Sequence, residues 1–383
     1  MNRIYLDNAA TSFPKAPGVV ESMTKFIAEI GTSVHRTSKS FEAEQVVFQT
    51  RELLCQLFNF DKPENVVFTK NVTESLNLVI KGLFRPGDHA IVSSMEHNAV
   101  MRPLLSLSTQ GVTFSRAATS SLGNLNPQNL LPLIRPETKA IIMTHASNVS
   151  GNISPLAEIG DICRKHNLFF IVDAAQSAGC LPIDMQEMNI DALAFTGHKS
   201  LLGPQGIGGL LLRDVLAQKI PPFIEGGTGS FSESEEQPDY LPDKFESGTL
   251  NLPGIYGLNA ALEFVLKTGI KTISEHEKAL TTYFLNGLLN IKGAKTVGPG
   301  FYAKRAPLVS VDFPNCDNAD IAYRLLNEHH IITRVGLHCA PNAHKTLDTF
   351  PQGTVRFSFC WFNTRAELQK TLEAIEEVLK DSV

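Results

Sequence analysis

TKAIIMTHASNVSGNISPLAEIGDICRKHNLFFIVDAA, residues 138–175, sets an apolar run, a helix-like stretch and a second apolar run in succession. TKAIIMTHA and LFFIVDAA read as strands, and PLAEIGDICRKHN between them as a helix. The apolar runs are continuous rather than alternating, which suits a sheet buried on both faces. The order extends both ways. Upstream, ENVVFT reads as a strand and NVTESLNLVIKGL as a helix; HAIVSS is a strand, and a helical segment starts at about Asn98. Downstream, DALAFTG and GIGGLLLR complete the set. Strand–helix alternation from about residue 65 to 213 predicts a mostly parallel α/β sheet.

Beyond it, SFSESEEQPDYLPD (230–243) is an acidic, Ser- and Pro-rich break that reads as a solvated surface loop, with a mobile flap as the other reading. LPGIYGLNAALEFVLKTG predicts a long helix. RAPLVSVDFP, IITRV and GTVRFSF read as strands, with helices at 317–329 and 364–380, which makes a second, smaller α+β domain.

The chain has 383 residues, 43% hydrophobic and 19% charged, as in an ordinary soluble globular protein. A net charge of −5 gives no reason to expect a nucleic-acid partner. No stretch approaches the length of a membrane span, and Asp7 interrupts the N-terminal segment before a signal-like apolar run develops. The six cysteines are scattered without a CxxC pair, so a reduced, cytoplasmic protein is expected. The histidines around HCAPNAH lack a second cysteine at metal-ligand spacing, and no metal is expected.

Polar residues sit at the C-terminal ends of several predicted strands, the edge where open α/β sheets bind ligands. Asp173 ends FFIV, and a carboxylate leaving a buried strand needs a cationic partner. Asn148 and Gln176 lie just past strand ends, and Glu96 and His97 follow IVSSM. Asn71 and Glu74 match a capping box. Thr73 then falls in the first helical turn, where free N–H groups favour a phosphate. In FTGHKSLLGPQGIGGLLLR (195–213), Lys199 is the best-placed amine. The glycines there precede a strand instead of linking strand to helix, the wrong order for a dinucleotide loop. An anion site, a buried carboxylate and a lysine at one sheet edge are the parts that hold pyridoxal 5′-phosphate.

With these residues in view, the chain resembles the class-V aminotransferases, fold type I pyridoxal-phosphate enzymes, and among them the cysteine desulfurases and selenocysteine lyases. The likeness runs through YLDNAATS, TKNVTESLNLV, SMEHNAV, SNVSG, VDAAQSAG, FTGHK, GPQGIGG, FESGTLN, RVGLHCAP and VRFSFCWFNT. It implies a seven-stranded sheet between helices in a large domain, residues 15–261, and a small α+β domain, 262–383 with 1–14. Lys199 would carry the cofactor as a Schiff base, Asp173 would pair with the pyridine nitrogen, and Gln176 would contact the ring hydroxyl. His97 would stack on the ring and shuttle protons. Thr73, Val72, Thr196 and His198 would hold the phosphate, with Thr249 reaching the phosphate of a partner subunit in a homodimer. Asn148 would lie near the ring oxygen and the substrate, Ala10 beside the substrate, and Arg356 on its carboxylate. Cys339 would take sulfur from cysteine as a persulfide, helped by positive charge from His338 or Arg334, and pass it to an acceptor protein; the other cysteines would be structural. The alternatives are a selenocysteine lyase, a cysteine sulfinate desulfinase, a lyase of another thiol, or a non-catalytic scaffold or sulfur-relay homologue. Four positions depart from the better-known sulfur-transfer members: Asn98 for a histidine, Thr196 for serine, Leu337 for a histidine, and Val72 for a small polar residue.

Overall fold

The computed structural model describes residues 3–31, 40–230, 233–300 and 303–381. The chain opens with β1 (Ile4–Tyr5), α1 (Val19–Lys25) and α2 (Ser40–Phe58). It then alternates β2 (Val66–Thr69), α3 (Val72–Leu83), β3 (His89–Ser93), α4 (Asn98–Ser108), β4 (Thr113–Ala117), β5 (Thr138–Thr144), α5 (Leu156–Lys165), β6 (Phe169–Asp173), β7 (Ala192–Thr196) and β8 (Gly208–Leu212). These strands form the expected seven-stranded sheet in the order β2-β8-β7-β6-β5-β3-β4. Only β8 runs against its neighbours; the other adjacent pairs are parallel.

Burial on both faces follows from the unbroken apolar runs. Along β5, Ile141 and Met143 enter one core while Ala140 and Ile142 enter the other. Along β6, Phe170 and Val172 face the first and Ile171 the second. Each fully buried Leu, Ile or Phe contributes on the order of 1.5–3 kcal/mol. The edge strand β4 has no counterpart in the sequence reading. Its TFSRA is mostly exposed or half-buried, so it lacks the apolar run that marks the central strands.

After α6 (Asp214–Ala217) the acidic stretch forms a surface loop. Tyr240 donates to Asp243 Oδ2 at 3.0 Å, and Gln237 Nε2 donates to the Asp243 carbonyl at 3.0 Å. Residues 231–232 of that stretch lie outside the described residues. Helices α7 (Leu252–Thr268) and α8 (Ile270–Leu288) follow, then β9 (Lys295–Val297), β10 (Leu308–Asp312), α9 (Asn318–His329), β11 (Ile331–Ile332), β12 (Arg334–Gly336), α10 (Pro341–Thr346), β13 (Thr354–Ser358) and α11 (Arg365–Asp381). IITRV, read as one strand, is two: β11 pairs in parallel with β1, while β12 joins an antiparallel sheet of order β12-β13-β10-β9. A separate core holds this sheet, with Phe284 of α8 and Ile375 of α11 packed beside Val309, Val311 and Phe357.

Candidate active site

The parallel strands deliver their polar successors to one edge. After β2, the Asn71 side chain caps α3 by accepting from the Glu74 N–H at 3.0 Å. Glu74 answers on the Lys70 N–H at 2.6 Å, one residue before the position a capping box uses. Thr73 stands exposed in this first turn, whereas the Val72 side chain is buried in the core. Val72 therefore has only its backbone N–H to offer a ligand.

The glycines of GPQGIGG serve this cradle by packing. A Cβ on Gly208 would stand 2.7 Å from the Phe195 carbonyl oxygen and 2.9 Å from Asn71 Cα. Gly208 thus lets β8 pass between β7 and the cap of α3. Gly179 has φ +98, and a Cβ there would lie 2.4 Å from the Ser200 carbonyl oxygen. That glycine seats the turn after β6 against the loop carrying Lys199.

Asp173 closes β6, 3% exposed, and its carboxylate accepts from the Ala175 N–H at 2.9 Å. Burial raises its pKa, and Lys199 partly offsets this. Lys199 is half-buried after β7. Burial lowers its amine to about 8; Asp173 opposes that shift, while Arg356 and Arg334 add to it. Thr196, 1% exposed, has a hydroxyl without a partner, and His198 Nδ1 is likewise buried and unpartnered. Burial and the adjacent Lys199 lower His198 to about 4. Gln176 is held by donation to the Ala9 carbonyl at 2.9 Å.

His97 caps α4, its Nδ1 accepting from the Ala99 N–H at 3.0 Å. That bond leaves the proton of the neutral ring on Nε2. Burial, then Lys199, Arg102 and Arg356, lower His97 to about 4, so the ring is neutral at pH 7. Glu96, 1% exposed, bridges two strand ends, accepting from the Ser93 hydroxyl at 2.6 Å and the Thr144 N–H at 3.0 Å.

The second sheet brings Arg356, 2% exposed, from β13. It donates to the Asn148 carbonyl at 3.0 Å and to Asp7 Oδ1 at 2.9 Å, and its Nε has no partner. Asn148 in turn donates to the His338 carbonyl at 2.6 Å. His338 and Cys339 join β12 to α10 with φ +48 and +57, left-handed values that cost about 1–2 kcal/mol for each side-chain-bearing residue. Cys339 is exposed, and the Asn98 N–H donates to its carbonyl at 2.9 Å.

One expectation is corrected here. His338 does not supply positive charge to Cys339: it is 5% exposed, and burial together with Arg356 lowers its pKa well below the usual range. Its Nε2 lies 3.1 Å from the Thr354 hydroxyl. Arg334 and Arg356 remain as the nearby cations. Thr249 is exposed and lines a cavity of about 310 Å³ with Lys70, Glu74 and Gly206. Among the cysteines, Cys55, Cys163, Cys180 and Cys360 are buried, Cys316 is half-buried, and Cys339 is the exposed one.

The sequence reading missed two members of this constellation. Asp7, the partner of Arg356, is 349 positions away in sequence. Lys15 donates to the Ser12 hydroxyl at 3.1 Å and the His198 carbonyl at 3.2 Å, and burial lowers it to about 8. Asp7 lies within the quoted YLDNAATS, so its motif was visible and its partner was not.

Comparison with known proteins finds relatives over the full length of the chain. A probable cysteine desulfurase of Pyrococcus abyssi is 34% identical, covering 98% of this chain and 94% of its own. The apo structure of a cysteine desulfurase from Thermococcus onnurineus superposes with TM-score 0.92 at 32% identity, over 99% of this chain and 95% of that one. The cysteine desulfurase CsdA of Escherichia coli, solved with an S-sulfonic acid, gives TM-score 0.89 at 30% identity, over 100% and 96%. The family model for class-V aminotransferases matches residues 4–371, so the chain belongs to the class-V aminotransferase family.

Proposed function

We propose that the chain is a pyridoxal 5′-phosphate-dependent cysteine desulfurase, which converts L-cysteine to L-alanine and leaves the sulfur on Cys339 as a persulfide. Full-length similarity to proteins named cysteine desulfurase supports the reading. The observation that carries it is local: a lysine lowered to about 8, a buried carboxylate, and an exposed cysteine whose loop is tied to the helix capped by His97.

The residues fit the cofactor. The unpartnered Thr196 hydroxyl and His198 ring nitrogen, with the free N–H groups and Thr73 hydroxyl at the start of α3, suit a phosphate. Asp173 has the burial of a carboxylate that waits for a cation. Lys199 offers an amine deprotonated at mildly alkaline pH. When bound, the cofactor supplies an electron sink for the bond broken at the substrate α-carbon.

The chain's own groups then divide the work. Lys199 would hold the cofactor through its amine and would move the proton at the substrate α-carbon. Asp173 would pair with the pyridine nitrogen and hold its proton. Gln176 and Asn148 would contact the ring oxygen, and His97, with Nε2–H, would stack on the ring and hold a proton for transfer. Arg356 takes the substrate carboxylate through the Nε–H it leaves free, with Ala10 beside it. Cys339, as thiolate, would attack the substrate sulfur: an S–S bond forms, the C–S bond breaks with its electron pair left on the β-carbon, and alanine results when that carbon takes a proton and the α-carbon regains the one held by Lys199.

The exposed Cys339 suits handover of sulfur to an acceptor protein, and the exposed Thr249 suits contact with the site of a second copy in a homodimer. We place the domain limits at 15–261 and 262–383 with 1–14. All six cysteines are free, which suits the reducing cytoplasm. Among the described residues no helix is long and apolar enough to cross a membrane.

The test is a substrate screen on purified protein, scoring alanine from cysteine, selenocysteine and cysteine sulfinate. It is paired with borohydride reduction and peptide mapping. A pyridoxyl adduct on Lys199 and alanine from cysteine are expected. Absence of the adduct from cofactor-saturated protein overturns the reading.

A further inference from the structure

Among the described residues, buried polar atoms without a partner concentrate in two places. One is the candidate active site, with the Thr196 hydroxyl, His198 Nδ1 and Arg356 Nε. The other is a cavity of about 750 Å³ between α8, lined from Lys271 to Leu285, the 303–307 segment before β10, and the turn after β6. There His145 Nδ1, Glu277 Oε2, and Nε and Nη1 of Arg305 are buried without partners. Side chains left this way cost about 1–3 kcal/mol each, more for charged groups, unless something occupies the space between them.

Two of these side chains are nearly inaccessible: Glu277 is 3% and His145 4% exposed. The cavity thus reaches into the interior. Its size matches pockets for small metabolites. Its lining is asymmetric in charge. Lys271 is balanced by Glu275 at 4.0 Å, whereas Lys278, Lys304 and Arg305 have no acidic partner among the described residues. Burial pushes Glu277 well above the usual carboxylate range. Burial lowers Arg305 to about 10, which leaves it cationic. The cavity lining therefore combines unpaired positive charge with the apolar side chains of Leu181, Pro182 and Leu285.

We propose that this cavity is a second ligand site, for a small organic anion with a carboxylate or phosphate head on an apolar body. The head is taken by Arg305, with Lys278 and Lys304 adding charge at the exposed side. The apolar body lies against Leu181 and Leu285. One link to the candidate active site is His145, whose backbone N–H donates to the Asp173 carbonyl at 2.9 Å. The site stands independently of the desulfurase reading.

The experiment is isothermal titration of borohydride-reduced, dialysed holoprotein with three probes: inorganic phosphate, phenyl phosphate and phenylacetate. Reduction fixes the cofactor, so its phosphate cradle is filled and contributes no heat. We expect one saturable site per chain for phenyl phosphate or phenylacetate; the stronger of the two identifies the head group. Arg305→Ala weakens it at least tenfold. Lys278→Glu, an exposed substitution that spares the fold, weakens it several-fold. Absence of saturable binding by all three probes overturns the proposal, as does unchanged affinity in both variants. Inorganic phosphate binding as tightly as phenyl phosphate also overturns it, because the proposed ligand owes affinity to its apolar body. If reduction leaves no adduct on Lys199, the desulfurase reading fails, while titration of the untreated protein still tests the cavity.

Discussion

The backbone N–H of Asn98 donates to the carbonyl of Cys339 at 2.9 Å, tying the cysteine loop to the first residue of α4. His97, one residue earlier, caps that helix with Nδ1. The ring proposed to cover the cofactor and the thiol proposed to take sulfur are thus fixed to one helix start. Asn98→Pro isolates this tie. Proline is well accommodated at the first helical position, where its missing N–H leaves no gap in the helix. His97, at φ −72 and ψ 157, has the extended backbone that a residue before proline adopts. The expected result is stability within about 1 kcal/mol of wild type and a cofactor spectrum unchanged, with alanine formation from cysteine lowered about three- to tenfold, the worth of one hydrogen bond. Unaltered turnover would show that the tie does not place the thiol.

Cys339→Ser keeps a small polar side chain at φ +57 and removes the sulfur nucleophile. Alanine formation should fall to background while the visible spectrum of the bound cofactor persists. Cys316→Ser, at the other cysteine that is not fully buried, should leave turnover within about twofold of wild type, as surface changes usually do. Mass spectrometry after cysteine addition should find one extra sulfur on the peptide bearing Cys339. A persulfide found only on another cysteine would contradict the assignment.

How legible was this in the sequence? Where a strand is buried on both faces, as along β5 and β6, its apolar run is unbroken and the element could be read directly. Edge strand β4 was invisible because exposure breaks that run. The strand-end positions of Asp173, His97 and Lys199 follow from the same periodicity, since each ends or follows an apolar run. Pairings across the two sheets do not. Arg356 and Asp7 meet because β13 and the segment after β1 are brought together by the fold, and no local pattern encodes that distance. His338 shows a related limit. In sequence it is a histidine beside a cysteine, and only its burial next to Arg356 makes it neutral.

Lys199 makes cofactor loading depend on pH. Its amine is lowered from 10.5 to about 8, and the nucleophile is the unprotonated form. The rate of imine formation in cofactor-free protein should rise about tenfold per pH unit below about 8 and level off above it. Stability carries the matching sign. Between about 8 and 10.5 the unfolded chain still binds a proton that the folded chain has released, so folding is favoured as pH rises through that window. Relative to Lys199→Gln, wild-type cofactor-free protein should therefore gain stability between pH 8 and 10.5, read from urea midpoints. A loading rate that keeps climbing to pH 10 would place the amine at its ordinary value.

Asp7 neutralises Arg356 in the substrate-free protein at 2.9 Å, with the arginine side chain only 2% exposed. Removing one partner of such a pair strands a buried charge, and the penalty is about 3 kcal/mol or more. Asp7→Asn keeps a hydrogen-bond acceptor, so the loss should fall at the lower end, near 3 kcal/mol by chemical denaturation. A carboxylate delivered to the free Nε of Arg356 should restore part of it. Saturating L-alanine, which carries the carboxylate proposed for the substrate, should therefore raise the melting temperature of Asp7→Asn more than that of wild type. Arg356→Lys should show no such difference and should raise KM for cysteine more than it lowers kcat, because lysine cannot bind bidentately. Equal stabilisation of Asp7→Asn and wild type by L-alanine would mean that the substrate carboxylate goes elsewhere and that Arg356 only joins β13 to the N-terminal segment.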